Sequence, residues 1–259
     1  MKITVLSENY TSAKEIVAEH GLSLYIETNG KNILFDMGQS SSFFENAKKM
    51  NIDIKKADAA ILSHGHYDHG GGAEIFLSEN TNAPLYVNAN AFGDYYSKNG
   101  YIGLDKKIKT KSNIVLIDKK TDIFDFCSLY MAECVPQNEK NYSSGLEKEI
   151  SGVKIQDDFL HEQYMLVEEN GKRILFSGCS HRGILNIMER FKPDIFMGGF
   201  HLSSLEYDSF ELLDVAEKLN SYNTIYYTCH CTGIDQYAKL KQILNTKINY
   251  IKCSQIIVL

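Results

Sequence analysis

The chain has 259 residues, 44% of them hydrophobic and 23% charged. That is enough to bury a sizeable core, and the length suits one α/β-type domain over 1–259 better than two small ones. The net charge of −6 with no basic run argues against a nucleic-acid partner. No apolar run approaches the ~18 residues needed to cross a bilayer.

Met1 to Leu6 reads as a short strand without the apolar core and cleavage site of a signal peptide, so a cytoplasmic location is expected. Leu22–Glu27 and Asn32–Asp36 read as paired strands around Asn29-Gly30, a hairpin-turn dipeptide. Phe43, Phe44, Ala47 and Met50 share one side of a helix. Ala57–Leu62 is an apolar strand that runs directly into Ser63-His64-Gly65-His66-Tyr67-Asp68-His69. Pro84–Val87 and Ile114–Ile117 are further strands. The polar stretch 88–111 reads as a loop or lid carrying Tyr95, Tyr96 and Tyr101, and 138–158 shows little pattern.

The second half repeats the style. Tyr164–Glu168 and Arg173–Phe176 flank Asn170-Gly171, and a helix is expected over Gly183–Phe191. Ile195–Met197 leads to Gly198-Gly199-Phe200-His201 and a helix over Asp208–Leu219. Thr224–Thr228 leads to Cys229-His230-Cys231 and a last helix over Asp235–Asn245. Four strands thus end in loops bearing His64, His181, His201 and His230, and strand ends over a rigid sheet are where functional groups gather.

The densest signal is His64-x-His66-x-Asp68-His69. Residues two apart on extended backbone point the same way, so His64 and His66 can grip one ion, while Asp68 and His69, past a turn, reach a second. Imidazole and carboxylate donors suit Zn, Fe, Mn or Co and do not fix the metal; Zn is the expected ion, with Fe or Mn as alternatives. Two such ions ~3.5–4 Å apart would hold a hydroxide that is nucleophilic at neutral pH. The six cysteines are too sparse for a disulfide framework and read as reduced thiols.

Ser63 to Gly72, with the hairpin ending in Phe35-Asp36-Met37-Gly38, resembles the signature of the metallo-β-lactamase superfamily. Ser177-Gly178-Cys179-Ser180-His181-Arg182-Gly183, Gly198 to Leu202 and Cys229 to Gly233 narrow the resemblance to the "metal-dependent hydrolases of the beta-lactamase superfamily II". Some of these are named 7,8-dihydropterin-6-methyl-4-(β-D-ribofuranosyl)aminobenzene-5′-phosphate synthase. The resemblance spans most of the chain. It implies an α+β fold, a four-layer αββα sandwich, and two divalent ions held by His64, His66, Asp68, His69, His181 and His230.

One departure stands out. The superfamily places a bridging Asp where this chain has Cys179. The preferred reading is that His181 completes the first shell and Cys179 does not bridge; a bridging or terminal thiolate is the alternative. Asp68 and His201 are the catalytic candidates, Asp68 orienting the nucleophile and His201 binding an oxyanion. His161 is a reserve ligand, His20 a pocket residue, Asp36 the partner of a ligating histidine, and Arg182 a phosphate contact. Cys229 and Cys231, by the period-two rule, point away from His230. The expected activity is metal-dependent hydrolysis of a small phosphoester, phosphodiester or other ester-like molecule, with a pterin-pathway synthase and a non-catalytic metal sensor as alternatives. Neither nucleic acid nor membrane is expected as a partner.

Overall fold

A computed structural model describes the chain from Met1 to Leu259. Its backbone forms two seven-stranded sheets and a small four-stranded one. The first sheet runs in the order Ile256–Val258, Lys2–Ser7, Ser23–Thr28, Lys31–Phe35, Ala59–Leu62, Leu85–Asn88, Ile114–Ile117. Neighbours are antiparallel as far as Lys31–Phe35 and parallel beyond it. The second runs Thr121–Phe124, Cys127–Met131, Gln163–Glu169, Lys172–Phe176, Ile195–Met197, Ile225–Thr228, Ile248–Tyr250. It too is antiparallel up to Lys172–Phe176 and parallel beyond.

Local chemistry explains both hairpins. Asn29 and Gly30 have φ of 47° and 73°, and Asn170 and Gly171 have 52° and 72°. Positive φ at both central residues is the turn whose twist matches paired strands, and Asn-Gly tolerates it best. Parallel strands such as Ala59–Leu62 and Ile195–Met197 are buried at every position, because helices cover one face and the other sheet covers the second.

Side chains alternate between two cores. Ile3, Val5, Ile26 and Phe35 of the first sheet meet Leu129, Met165, Phe176 and Met197 of the second, with the Phe35 and Phe176 rings 5.9 Å apart. On the outer face of the first sheet, Leu34 and Leu62 pack on Phe43 and Ala47 of helix Ser42–Lys49 and Phe76 of helix Ala73–Glu79. On the other, Leu175, Phe196 and Tyr226 pack under helices Ile184–Phe191, Phe210–Ser221 and Ile234–Leu244. The architecture is the four-layer αββα sandwich. Each such ring fully removed from water contributes about 1.5–3 kcal/mol. No helix is long and apolar enough to cross a membrane.

Two stretches read as patternless are ordered. Asp94–Ser97 and Gly100–Tyr101 lie within 88–111, and Glu147–Ile150 and Val153–Gln156 within 138–158; they pair into the third sheet. The reason they escaped notice is exposure. Val153–Gln156 is exposed at every position, so nothing imposes an apolar–polar alternation. Strands Thr121–Phe124, Cys127–Met131 and Ile248–Tyr250 likewise went unannounced in the sequence pattern.

Candidate metal centre

The loop after Ala59–Leu62 is held by one buried carboxylate. Asp36 accepts from Ser63 N (2.7 Å), Ser63 Oγ (2.7 Å) and His69 Nδ1 (2.6 Å). The loop also needs two close approaches. A Cβ on Gly65 would collide with Ala91 O, and one on Gly178 would collide with Ser63 Oγ and lie 3.0 Å from His64 Nδ1. Gly178 thus lets the loop of the second sheet lie against that of the first.

Hydrogen bonding fixes the histidine tautomers. His69 Nδ1 faces Asp36, so it carries the proton and Nε2 has a free lone pair. Ser63 Oγ spends its proton on Asp36, so it accepts from His64 Nδ1 at 2.9 Å, and His64 Nε2 is also free. Asn9 Oδ1 accepts from Gly21 N and faces His230 Nδ1 at 2.8 Å, which leaves His230 Nε2 free as well. These lone pairs converge. His69 Nε2 lies 3.3 Å from His230 Nε2 and 3.2 Å from Cys179 Sγ, and His64 Nε2 lies 3.3 Å from His181 Nε2. The facing lone pairs of His69 and His230 repel in a buried site unless a cation lies between them, and His66 Nε2 is buried there with no partner at all. The donor set therefore fits a metal.

The donors fall into overlapping groups, each with donor atoms within 4.8 Å of one another: Cys179 joins His64 and His181 and also His69 and His230, Asp68 joins His64 and His69 and also His20 and His230, and His66 sits with Asp157 and His161. Asp68 Oδ2 lies 3.2 Å from His230 Nε2 and 3.9 Å from His69 Nε2, and the His66 ring is 4.6 Å from that of His64 and 4.9 Å from that of His181. The six side chains expected from the sequence come together. Burial pushes His66 down to about 3 and His230 to about 4, so both rings stay neutral and able to donate a lone pair. Burial works against the Asp68 carboxylate, but the neighbouring histidines, His69 first and then His20, hold it well below the usual range.

Other positions divide. The Cys179 sulfur lies within reach of His64 and His181 on one side and of His69 and His230 on the other, a placement compatible with either a shared or a non-bridging thiol. His161 lies with His66 and Asp157 as a possible donor group, although its Nδ1 accepts from Gly65 N at 3.0 Å and its Nε2 faces Asp157 Oδ2 at 3.0 Å. Arg182 is not a phosphate contact, since its guanidinium donates to the backbone carbonyls of Asp158 (2.9 Å) and Val135 (3.1 Å). Cys229 points into the core between the sheets. Cys231 does not point away: it lines the cavity, 3.6 Å from Cys179 O. His230 has φ of 51°, which breaks the extended backbone that the period-two rule assumes.

A cavity of about 460 Å³ opens over the centre, with Asp68, Cys179, His181, His201 and His230 at its floor. His201 Nδ1 is buried without a partner, and its ring is 4.4 Å from that of His181. His20, half-exposed, reaches Asp68 Oδ2 at 3.2 Å. The third sheet supplies Ser97 and Asn99, with Ile102 and Leu146 beside it. Tyr95 is buried under that sheet, its ring 4.0 Å from His161, and Tyr96 packs edge-on against Tyr101; none of the three lines the cavity. Sequence reasoning missed Glu8, Asn9, Ser143 and Glu162. The one available signal was the polar run Ser7-Glu8-Asn9 closing an apolar strand.

Comparison with known proteins agrees with this geometry. The model of the metallo-beta-lactamase superfamily matches residues 17–118. An uncharacterized protein of Methanocaldococcus jannaschii is 32% identical over 94% of this chain and 95% of its own length. The 7,8-dihydropterin-6-methyl-4-(beta-D-ribofuranosyl)-aminobenzene-5′-phosphate synthase of the same organism is 29% identical over 90% and 88%. The crystal structure of Tm1679, described as a metal-dependent hydrolase of the beta-lactamase superfamily, superposes with a TM-score of 0.84 at 27% identity, covering 100% of this chain and 99% of that one. With the αββα sandwich, the Ser63–Gly72 loop and the converging donors, these matches establish that the chain belongs to the metallo-β-lactamase superfamily.

Proposed function

We propose that this protein is a metal-dependent hydrolase of a small ester-like substrate, a phosphodiester before other esters. The observation that carries the reading is the meeting of Nε2 atoms, His69 with His230 and His64 with His181 at 3.3 Å each, around Cys179 in an open cavity. His64, His66 and His181 would hold one divalent ion, and Asp68, His69 and His230 a second, with Cys179 shared. Imidazole, carboxylate and thiolate donors together favour Zn, with Fe or Mn as alternatives. When bound, the ions supply Lewis acidity, activating water and neutralising charge on a substrate oxygen.

The chain's own groups do the rest. Asp68, held ionised, orients the attacking water through its free oxygen lone pairs. His201, kept neutral by burial, lines the cavity and is the candidate to meet a substrate oxygen. No lysine or arginine lines the cavity, so a singly charged diester asks less of its walls than a doubly charged monoester. Six free cysteines suit a reducing, cytoplasmic setting.

The test is metal content by plasma mass spectrometry, with turnover of bis(p-nitrophenyl) phosphate, p-nitrophenyl phosphate and a lactone panel. Two metal equivalents and diester turnover are expected. Absence of metal after reconstitution would sink the reading. A second reading, condensation of a dihydropterin with an aryl ribosyl phosphate, is favoured by the 29% identical synthase; product formation from those two reactants with no hydrolysis would decide for it.

A further inference from the structure

Two buried glutamates stand outside the donor set, and their surroundings match. Glu8, fully buried, accepts from His230 N (2.8 Å) and Tyr250 OH (2.8 Å) with Oε1, and from Tyr10 N (2.7 Å) with Oε2. Glu162, also fully buried, accepts from His181 N (2.7 Å) with Oε1, and from Arg182 N (3.1 Å) and Tyr164 OH (2.6 Å) with Oε2. Each thus takes two backbone N–H groups and one tyrosine hydroxyl, and in each case one N–H belongs to a donor histidine. Neither has a Lys or Arg partner within ion-pair distance.

The backbone that they hold is strained. His230 has φ of 51°, and Ser180, just before His181, has φ of 57°. Left-handed conformations at residues other than glycine cost energy and persist where neighbouring structure enforces them. The carboxylates supply that enforcement, with charge-assisted hydrogen bonds that are about twice as strong as neutral ones. Each ring is pinned separately at Nδ1, His230 by Asn9 and His181 by Ser143 Oγ at 3.1 Å.

We infer that Glu8 and Glu162 are positioning residues, one for each half of the centre. Glu8 aims His230, and Glu162 aims His181. This rests on the metal-binding reading above.

The experiment compares Glu8→Gln and Glu162→Gln by metal stoichiometry, Zn titration and thermal unfolding, each alone and combined with His64→Ala. Glutamine keeps the shape but sets an amide where donors already point. Each single variant is expected to weaken one ion roughly 10- to 100-fold, the range for partners that orient metal ligands, and to leave the other ion in place. Glu162→Gln acts on the same half as His64→Ala, so their combination should lose no further equivalent, whereas Glu8→Gln with His64→Ala should lose both. Unchanged metal affinity with only a lowered melting temperature would overturn the inference, and so would equal weakening of both ions by either variant. Should the glutamine variants fail to fold, Tyr250→Phe and Tyr164→Phe remove one hydroxyl from each carboxylate without touching a histidine. The same selective pattern, smaller, is then expected, and no selectivity would overturn the inference. If the unaltered protein holds no metal, the functional reading itself fails, an outcome visible before any variant is made.

Discussion

The two large sheets follow one plan, three antiparallel steps and then three parallel ones, yet they carry their chemistry differently. The first sheet concentrates His64, His66, Asp68 and His69 in six residues after one strand. The second spreads Cys179, His181, His201 and His230 over three successive parallel strand ends. A contiguous set can be held by a single anchor, and Asp36 serves the loop start and His69 together. A dispersed set needs an anchor for each histidine: Ser143 and Glu162 for His181, Asn9 and Glu8 for His230. Damage should therefore be collective in the first half and local in the second.

The largest effect is expected for His64→Ala with His66→Ala. That pair removes two donors from one half, and turnover should fall at least about 1,000-fold, since the ions' Lewis acidity is worth several kcal/mol. Metal analysis should show at least one equivalent gone. Full metal content with full loss of turnover would mean that these rings act on substrate instead.

Asp36→Asn comes next and tests the collective anchor. The amide retains one acceptor but can no longer serve Ser63 N, Ser63 Oγ and His69 Nδ1 together. Metal affinity should fall roughly 10- to 100-fold, and both His64 and His69 should respond, because Ser63 Oγ sets the His64 tautomer. Histidine nitrogen shifts measured by NMR on the metal-loaded protein would show it. A change confined to His69 would break the contrast drawn between the two halves.

Much of this was legible from the residues. The His64–His69 loop announces itself because its ligands are contiguous, and the hairpins because Asn-Gly encodes one turn type. The placement of Cys179 was not legible: whether its sulfur lies near one donor group or two depends on how closely two loops approach, which Gly178 permits but does not advertise. Cys231 was misread because alternation presumes extended backbone, and the positive φ of His230 is set by Glu8 from 222 residues away. The third sheet was hidden because its strands are largely exposed and its two hairpins meet across about fifty residues of sequence, so no burial pattern flanks turns such as Ser151-Gly152.

Gly178→Ala probes the contact between the halves. Its added methyl meets Ser63 Oγ and crowds His64 Nδ1. Overpacking of this kind costs typically about 1–3 kcal/mol, readable as a lower denaturant midpoint at unchanged slope. The Ser63→Ala background should restore part of that loss by vacating the space. If Gly178→Ala costs nothing, the two loops have room to spare, and the halves are less tightly joined than the geometry indicates.

Tyr95→Phe carries the smallest expected effect and tests whether the third sheet belongs to the cavity wall or to the centre itself. Tyr95 OH donates to Asn90 O at 2.6 Å, while its ring packs 4.0 Å from His161. Phenylalanine keeps the ring and loses only the hydrogen bond. Asn90 is exposed, so water replaces the lost donor, and the cost should be near the net value of one hydrogen bond, about 0.5–1.5 kcal/mol. His161 keeps its bonds to Gly65 N and Asp157, so the His64–His69 loop should stay in place and metal content should not change. KM is the parameter free to move, because Ser97 and Asn99 on the same sheet line the cavity. A loss of bound metal in Tyr95→Phe would show that the third sheet holds the loop through His161. The contrast would then lie between three regions, with the exposed sheet as an anchor that the first half shares.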